Sequence, residues 1–203
     1  GMEIPEETQT SIILKDIFDF ESVTVERISR RMDNIIRSMF EELLIGLKNP
    51  EFKEWTSKEI HKADKGANKM YFLLLKMVRK CQDDASFMRG LKLDTKKVSE
   101  TSWFALHSES IGDEIKRIAR FAIRANLNDK DKKALHDIMA ALEKSYIDAM
   151  NSYYQGDQKT SQKVSGDLDR SMTAVEKFLE ESENPFKGNI VEKIKGIINS
   201  MNN

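Results

Sequence analysis

From Val25 onward, apolar residues return every three or four positions in one long window after another, and that period is the signature of helices. The first window places Ile28, Met32, Ile35, Ile36, Met39, Phe40, Leu43, Leu44 and Leu47 on one face, as a helix with 3.6 residues per turn requires. Asn49-Pro50 ends it, because the residue before a proline is driven out of the α region. A second window, roughly 51–82, repeats the pattern through Ile60, Ala67, Leu74, Met77 and Cys81. Residues 83–94 break the period, contain Gly90 and read as a connection. Asp94 suits the N-cap of a third helix over about 95–126. That helix has two faces: a large one with Phe104, Ile111, Ile115, Ile118 and Ala122, and a small-residue one with Ala105, Gly112 and Ala119. Asn128-Asp129 opens a fourth helix, Gly156-Asp157 turns the chain, and a fifth helix runs about 158–183. After Asn184-Pro185 a short last helix begins near Asn189.

No segment alternates with a period of two, so the expected fold class is all-α, with six helices and no sheet. Three long helices followed by two long and one short describe a three-helix unit used twice, over 25–126 and 127–203, the second shorter and imperfect. Residues 1–24 fit a short helix or an extended arm equally well. The composition, 33% charged and 39% hydrophobic with 3 Pro, is that of a helix-rich globular chain and not of a disordered one. A chain of 203 residues can build one sizeable core or two small bundles.

Several function classes are disfavoured at this level. Net charge is −1 with both signs interleaved; no basic stripe stands out, and direct nucleic-acid binding is not expected. The window Lys58, Lys62, Lys65, Lys69 reads as a solvated helix face. Cys81 is the only cysteine, which excludes an intrachain disulfide and a thiolate-clustered zinc site, and its place in a helical stripe predicts a buried thiol. There is no apolar run of about 18 residues and no signal-peptide layout, so a cytoplasmic protein, peripheral to a membrane at most, is expected. Enzyme templates fail as well. A ferritin-like site needs Glu three residues before a histidine, but Lys58, Phe104 and Lys133 precede His61, His107 and His136. No phosphate loop of the Gly-x-x-x-x-Gly-Lys type and no identifiable nucleophile are present. The expectation is a protein that is not an enzyme, with no role assigned to His107 or His136.

Two windows carry chemistry. Glu109-Ser110-Ile111-Gly112-Asp113 sets two carboxylates one helical turn apart, with Cβ atoms about 5–6 Å from each other. Like charges at that spacing repel by roughly 0.2–0.5 kcal/mol, and the glycine beside them costs about 1 kcal/mol relative to alanine. A nearby cation or a close helix contact would offset both. Asp64-Lys65-Gly66-Ala67-Asn68 repeats the arrangement in the second helix, with His61 three residues ahead on the same side. If the two helices pack antiparallel, Glu109, Asp113, Asp64, Asn68 and His61 face one another as an oxygen-rich cluster with one imidazole. Carboxylates, an amide oxygen and water suit Mg, Ca or Mn, and a histidine shifts the preference toward Fe or Zn. The plainer reading is a solvated face on which Lys116 and Arg117 pair with Asp113, worth under about 1 kcal/mol. Gly66 and Gly112 are expected to mark a close crossing of these two helices.

Three stretches carry a family resemblance. Residues 11–48, from SIILKDIFDF through MDNIIRSMFEELLIGLK, residues 61–79, HKADKGANKMYFLLLKMVR, and residues 98–122, with ESIGDEIKRIA, resemble in order and spacing the archaeal branch of the PhoU-like phosphate-transport regulators. The resemblance implies an up-down bundle of two three-helix units and metal held by the paired acidic motifs, that is by Glu109, Asp113, Asp64, Asn68 and His61. The metal implied is Fe, Zn, Mn or Mg. It also implies a regulator of phosphate uptake acting by protein–protein contact on a phosphate transporter or its sensor, with a homodimer compatible. The alternatives are an accessory subunit of a metal–phosphate symporter and a metal-dependent phosphate-processing enzyme. Asn68 stands where the family's first motif has its second acid, which removes one anionic ligand. Asp167-Leu168-Asp169-Arg170-Ser171 is half a motif, and the last helix has none, so a second metal site is not expected. Many archaeal relatives carry an AbrB-like DNA-binding segment at the N-terminus; residues 1–24 are too short and too weakly basic to be one.

Overall fold

The computed structural model describes residues 2–7, 12–16, 24–49, 52–180 and 184–202, with side chains described over 24–49, 58–180 and 184–202. The fold is all-α. The helices are α1 (Val25–Lys48), α2 (Phe52–Asp83), α3 (Ala85–Gly90), α4 (Thr95–Ala125), α5 (Asp129–Gln155), α6 (Gln158–Glu180) and α7 (Lys187–Asn202). Two short strands precede them, β1 (Met2–Glu7) and β2 (Ile12–Asp16). They pair antiparallel with Met2 opposite Asp16 and Glu7 opposite Ile12. The register slips between Glu3 and Glu6, where Pro5 has no N–H to give the ladder. The described residues thus hold seven helices and a strand pair in place of six helices and no sheet. Ile17, Phe18 and Phe20, part of the expected arm, lie outside the described residues.

Helix boundaries follow local chemistry. Thr24 Oγ1 accepts from the Arg27 N–H at 3.2 Å and starts α1. Asp94 accepts from Lys97 N–H at 2.7 Å and starts α4, as its sequence position predicts. Asn128 does the same for Asp131 N–H at 2.8 Å at the head of α5. Gly156, at φ +68°, closes α5 in the left-handed region that glycine enters without strain. The connection 83–94 is more ordered than its broken period indicates. Asp84 accepts from the N–H groups of Ser86 and Phe87 at 2.8 and 3.0 Å and so caps α3. A helix of six residues is too short to display a period. The last helix begins at Lys187, two residues before the expected start.

α1, α2 and α4 pack on one another, as do α5 with α6 and α6 with α7. α1 also lies on α5, and α4 on α7. One apolar core therefore runs through the whole set, including Ile36 and Phe40 of α1, Leu74 of α2, Ile115 of α4, Tyr146 of α5, Leu168 of α6 and Ile194 of α7. Val78, Cys81 and Val98 form a smaller cluster under Phe87 and Met88 of α3. Cys81 is buried there as a free thiol, and that burial, followed by the charge of Asp84, raises its pKa.

The glycines do not meet as expected. A Cβ on Gly112 would lie 2.9 Å from Ile36 Cδ1 and 3.5 Å from Met39 Sδ, and one on Gly66 would lie 3.3 Å from Ile35 Cδ1. Both glycines face α1, which occupies the groove between α2 and α4. The close approach is real, but its partner is the first helix. The small face of Ala105, Gly112 and Ala119 is buried, with α1 against it at Gly112.

Candidate functional site

Asp64 of α2 meets Lys116 of α4, and farther along Val78 and Cys81 of α2 meet Val98 of α4. Rising numbers on one helix match falling numbers on the other, so the pair is antiparallel and the two acidic windows share one end. Lys116 Nζ donates to Asp64 Oδ1 at 2.8 Å and to Asp113 Oδ1 at 2.6 Å. Arg117 donates to Asp113 Oδ2 at 2.9 Å and reaches Glu114 Oε1 at 3.4 Å. The Lys116 pairs are not solvated: the side chains of Asp64, Lys116 and Asp113 are only 7%, 21% and 23% exposed. Burial alone would lower the Lys116 pKa; hydrogen bonds to Asp113 and Asp64 outweigh it and raise the value, so the ammonium stays charged.

Glu109, one turn before Asp113, makes no ion pair among the described residues. Burial, then the charge of Asp113, raises its pKa, while Lys116 and Arg117 oppose the rise. A raised folded value means that the folded state binds the proton more tightly than the unfolded chain. The stability so gained is complete below the ordinary glutamate range and is lost as pH rises through the folded value. Glu109→Gln is therefore expected to raise the melting temperature at neutral pH and to leave it unchanged at acidic pH. Melts across pH check this; a gain independent of pH would contradict it.

The other candidates are placed less centrally. Asn68 lies half-buried one turn beyond Asp64, and its amide makes no hydrogen bond among the described residues. His61 is exposed and shares with Lys116 the wall of a cavity of about 240 Å³ that also touches Arg120 and Arg124. The structure thus gathers Asp64, Glu109 and Asp113 around an internal ammonium, with Asn68 and His61 at the margins. Among the described residues, no group of three or more His, Cys, Asp or Glu side chains is arranged to hold a metal ion. A cation at the centre of this cluster would have to displace Lys116. The pairing also reverses one consequence of the acidic motif: removing Asp113 costs two ion pairs, a larger loss than the relief of its repulsion with Glu109.

Two features were not singled out in the sequence. Asp33 of α1 is buried and takes Arg37 bidentately at 2.8 and 3.0 Å, with the pKa of Arg37 raised chiefly by that bond. The buried hydroxyls of Tyr146 and Tyr154 lie near this pair, and burial, then the charge of Asp33, raises both pKa values. The i, i+4 spacing of Asp33 and Arg37 was the available signal. A second feature is a groove of about 730 Å³ between α4 and α5, closed by the start of α6 and the end of α7. Trp103 stands on its rim, 60% exposed and stacked on His107, and Leu106 is exposed on the same helix. Lys58, Lys62, Lys65 and Lys69, read from the sequence as a solvated face, are exposed along one side of α2, and Arg79 extends the row.

Among the described residues, no helix is long and apolar enough to cross a membrane. No family model matches the chain, and neither a curated protein nor a solved structure is found similar to it.

Proposed function

We propose that this chain is a PhoU-like regulator of phosphate uptake that works by binding a phosphate transporter or its sensor, without catalysis. The observation that carries the reading is the meeting of the two motif helices: Asp64 of α2 and Asp113 of α4 converge on one cation between antiparallel helices, with Glu109 one turn away. Here that cation is Lys116. An internal ammonium holds the two helices together as a bridging metal would, and it offers no open coordination position for chemistry. Trp103 on the rim of the α4–α5 groove, with Leu106 exposed on the same helix, supports action by contact, since exposed aromatic and aliphatic side chains beside a groove are typical of protein interfaces.

The test is affinity capture from native lysate of cells grown in high and in low phosphate. Recovery of a phosphate-transport component, reduced by Trp103→Ala, is expected; its absence under both conditions would count against the reading. A metal arm separates the two ways of filling the site. Lys116→Ala empties the space between Asp64 and Asp113, so Mn, Fe, Zn or Mg should raise the melting temperature of this variant more than that of the parent, by preferential binding to the folded state. An equal response in both would show that metal, if it binds, binds elsewhere.

A further inference from the structure

Along α2, Lys58, Lys62, Lys65, Lys69, Phe72, Lys76 and Arg79 recur at alternating steps of four and three. On a straight helix that spacing drifts by only about 20° per seven residues, so the row keeps to one side for about 30 Å at about 1.5 Å per residue. Lys58, Lys62, Lys65, Lys69 and Arg79 are exposed and make no ion pair among the described residues. Phe72, in the middle of the row, is 62% exposed, with the Tyr71 ring beside it at 5.4 Å. The carboxylates of α2 from Lys58 onward do not neutralise the row. Asp64 turns inward onto Lys116, and Glu59 and Asp83 lie at the two ends of the segment. A chain of net charge −1 thus concentrates positive charge on one helix face.

We propose that this face of α2 docks on an anionic lipid bilayer, with the lysines over the headgroups and Phe72 entering the boundary between headgroups and acyl chains. Charge complementarity selects the surface: clustered lysines on an amphipathic helix are attracted to anionic leaflets with an energy that adds up residue by residue. Phe72 contributes apolar area that water leaves unused. The composition separates a bilayer from nucleic acid. All but one of the cations are lysine, a hydrated point charge suited to a diffuse charged surface, whereas the planar fork of arginine is the group of choice for individual phosphates.

The experiment is co-sedimentation of the whole chain with vesicles of phosphatidylcholine alone and of phosphatidylcholine mixed with phosphatidylglycerol. Binding is expected to the mixed vesicles only, weakening as salt screens the attraction. The triple variant Lys62→Gln, Lys65→Gln, Lys69→Gln should bind about a hundredfold more weakly, with an unchanged helical circular dichroism spectrum because all three side chains are exposed. Phe72→Ser should weaken binding several-fold while keeping the salt dependence. Equal binding to both vesicle types, binding to neither, or full binding by the triple variant would overturn the proposal. Tighter binding to a short DNA duplex than to the mixed vesicles at the same salt would also overturn it, and would assign the row to nucleic acid. The vesicles contain no protein, so this outcome is independent of the capture experiment.

Discussion

Gly112→Leu is expected to melt roughly 10 °C below the parent protein, from an overpacking cost of about 3 kcal/mol and a shift of about 2–4 °C per kcal/mol for a chain of this size. Position 112 has no room for a branched side chain, because even a Cβ would approach Ile36 Cδ1 to 2.9 Å, with Met39 Sδ at 3.5 Å behind it. α1 cannot retreat without losing its contacts with α2 and α5, since it packs on all three neighbours at once. Gly112→Ala gives the contrasting case. Its helix propensity gains about 1 kcal/mol, and the only atom in its way is the end of an isoleucine side chain, which can change rotamer. Its melting temperature should stay close to that of the parent. Leucine tolerated as well as alanine would show that α1 is not seated on this face.

Lys187→Met should destabilise by about 3–5 kcal/mol, the cost of leaving a buried partner charge unpaired. Lys187 is 1% exposed. Its ammonium donates to Asp131 Oδ1 at 2.8 Å and to the Phe178 carbonyl at 3.1 Å, and it lies over the Phe178 ring at 4.3 Å. The site joins the first turns of α5 and α7 to the end of α6. A cation in the first turn of α7 is opposed by that helix's own dipole, so Asp131 must supply the compensation. The double variant Lys187→Met, Asp131→Ala removes both charges and should recover much of the loss, because deleting a whole buried pair is far less costly than breaking one. Denaturant melts of the two variants decide the matter. If the double variant is no more stable than the single one, Asp131 carries no uncompensated charge and the pair is not the clamp described.

The acidic site was half-legible in the sequence. Spacing of four residues puts Glu109 beside Asp113 on any helix, and the same spacing links Asp64 with Asn68. That Lys116 would stand between Asp64 and Asp113 depends on the register of α2 against α4, which side chains far apart in the chain determine jointly. Lys116 and Arg117 were recognisable as partners for Asp113 by their offsets of three and four. The burial of Lys116 and its second bond to Asp64, which turn a weak surface pair into an inter-helix tie, were not. His61 and Asn68 have the right spacing to join the cluster but lie at its edge: His61 is exposed and Asn68 only half-buried, while Asp64 between them is buried on Lys116.

Helix starts and stops are settled by a few adjacent residues, and so Asp94, Asn128 and Gly156 could be read directly: each satisfies or ends a hydrogen-bond series within three or four positions. The 3.6 period likewise belongs to the sequence, because an apolar stripe must be buried whatever buries it. α3 escaped because six residues span less than two turns. Tertiary structure alone decided which surface each stripe meets. Gly66 and Gly112 announced a close approach, but a glycine specifies only an absence of side chain, and it was α1, packed at once against α2, α4 and α5, that filled the space. The same holds for Lys58, Lys62, Lys65 and Lys69: their spacing was written in the sequence, but their exposure with Asp64 directed away onto Lys116 was fixed by the packing of α2 on α4. Local bonding is a property of neighbours in the chain, whereas the choice of partners is a property of the whole core, in which every helix competes for the same apolar faces.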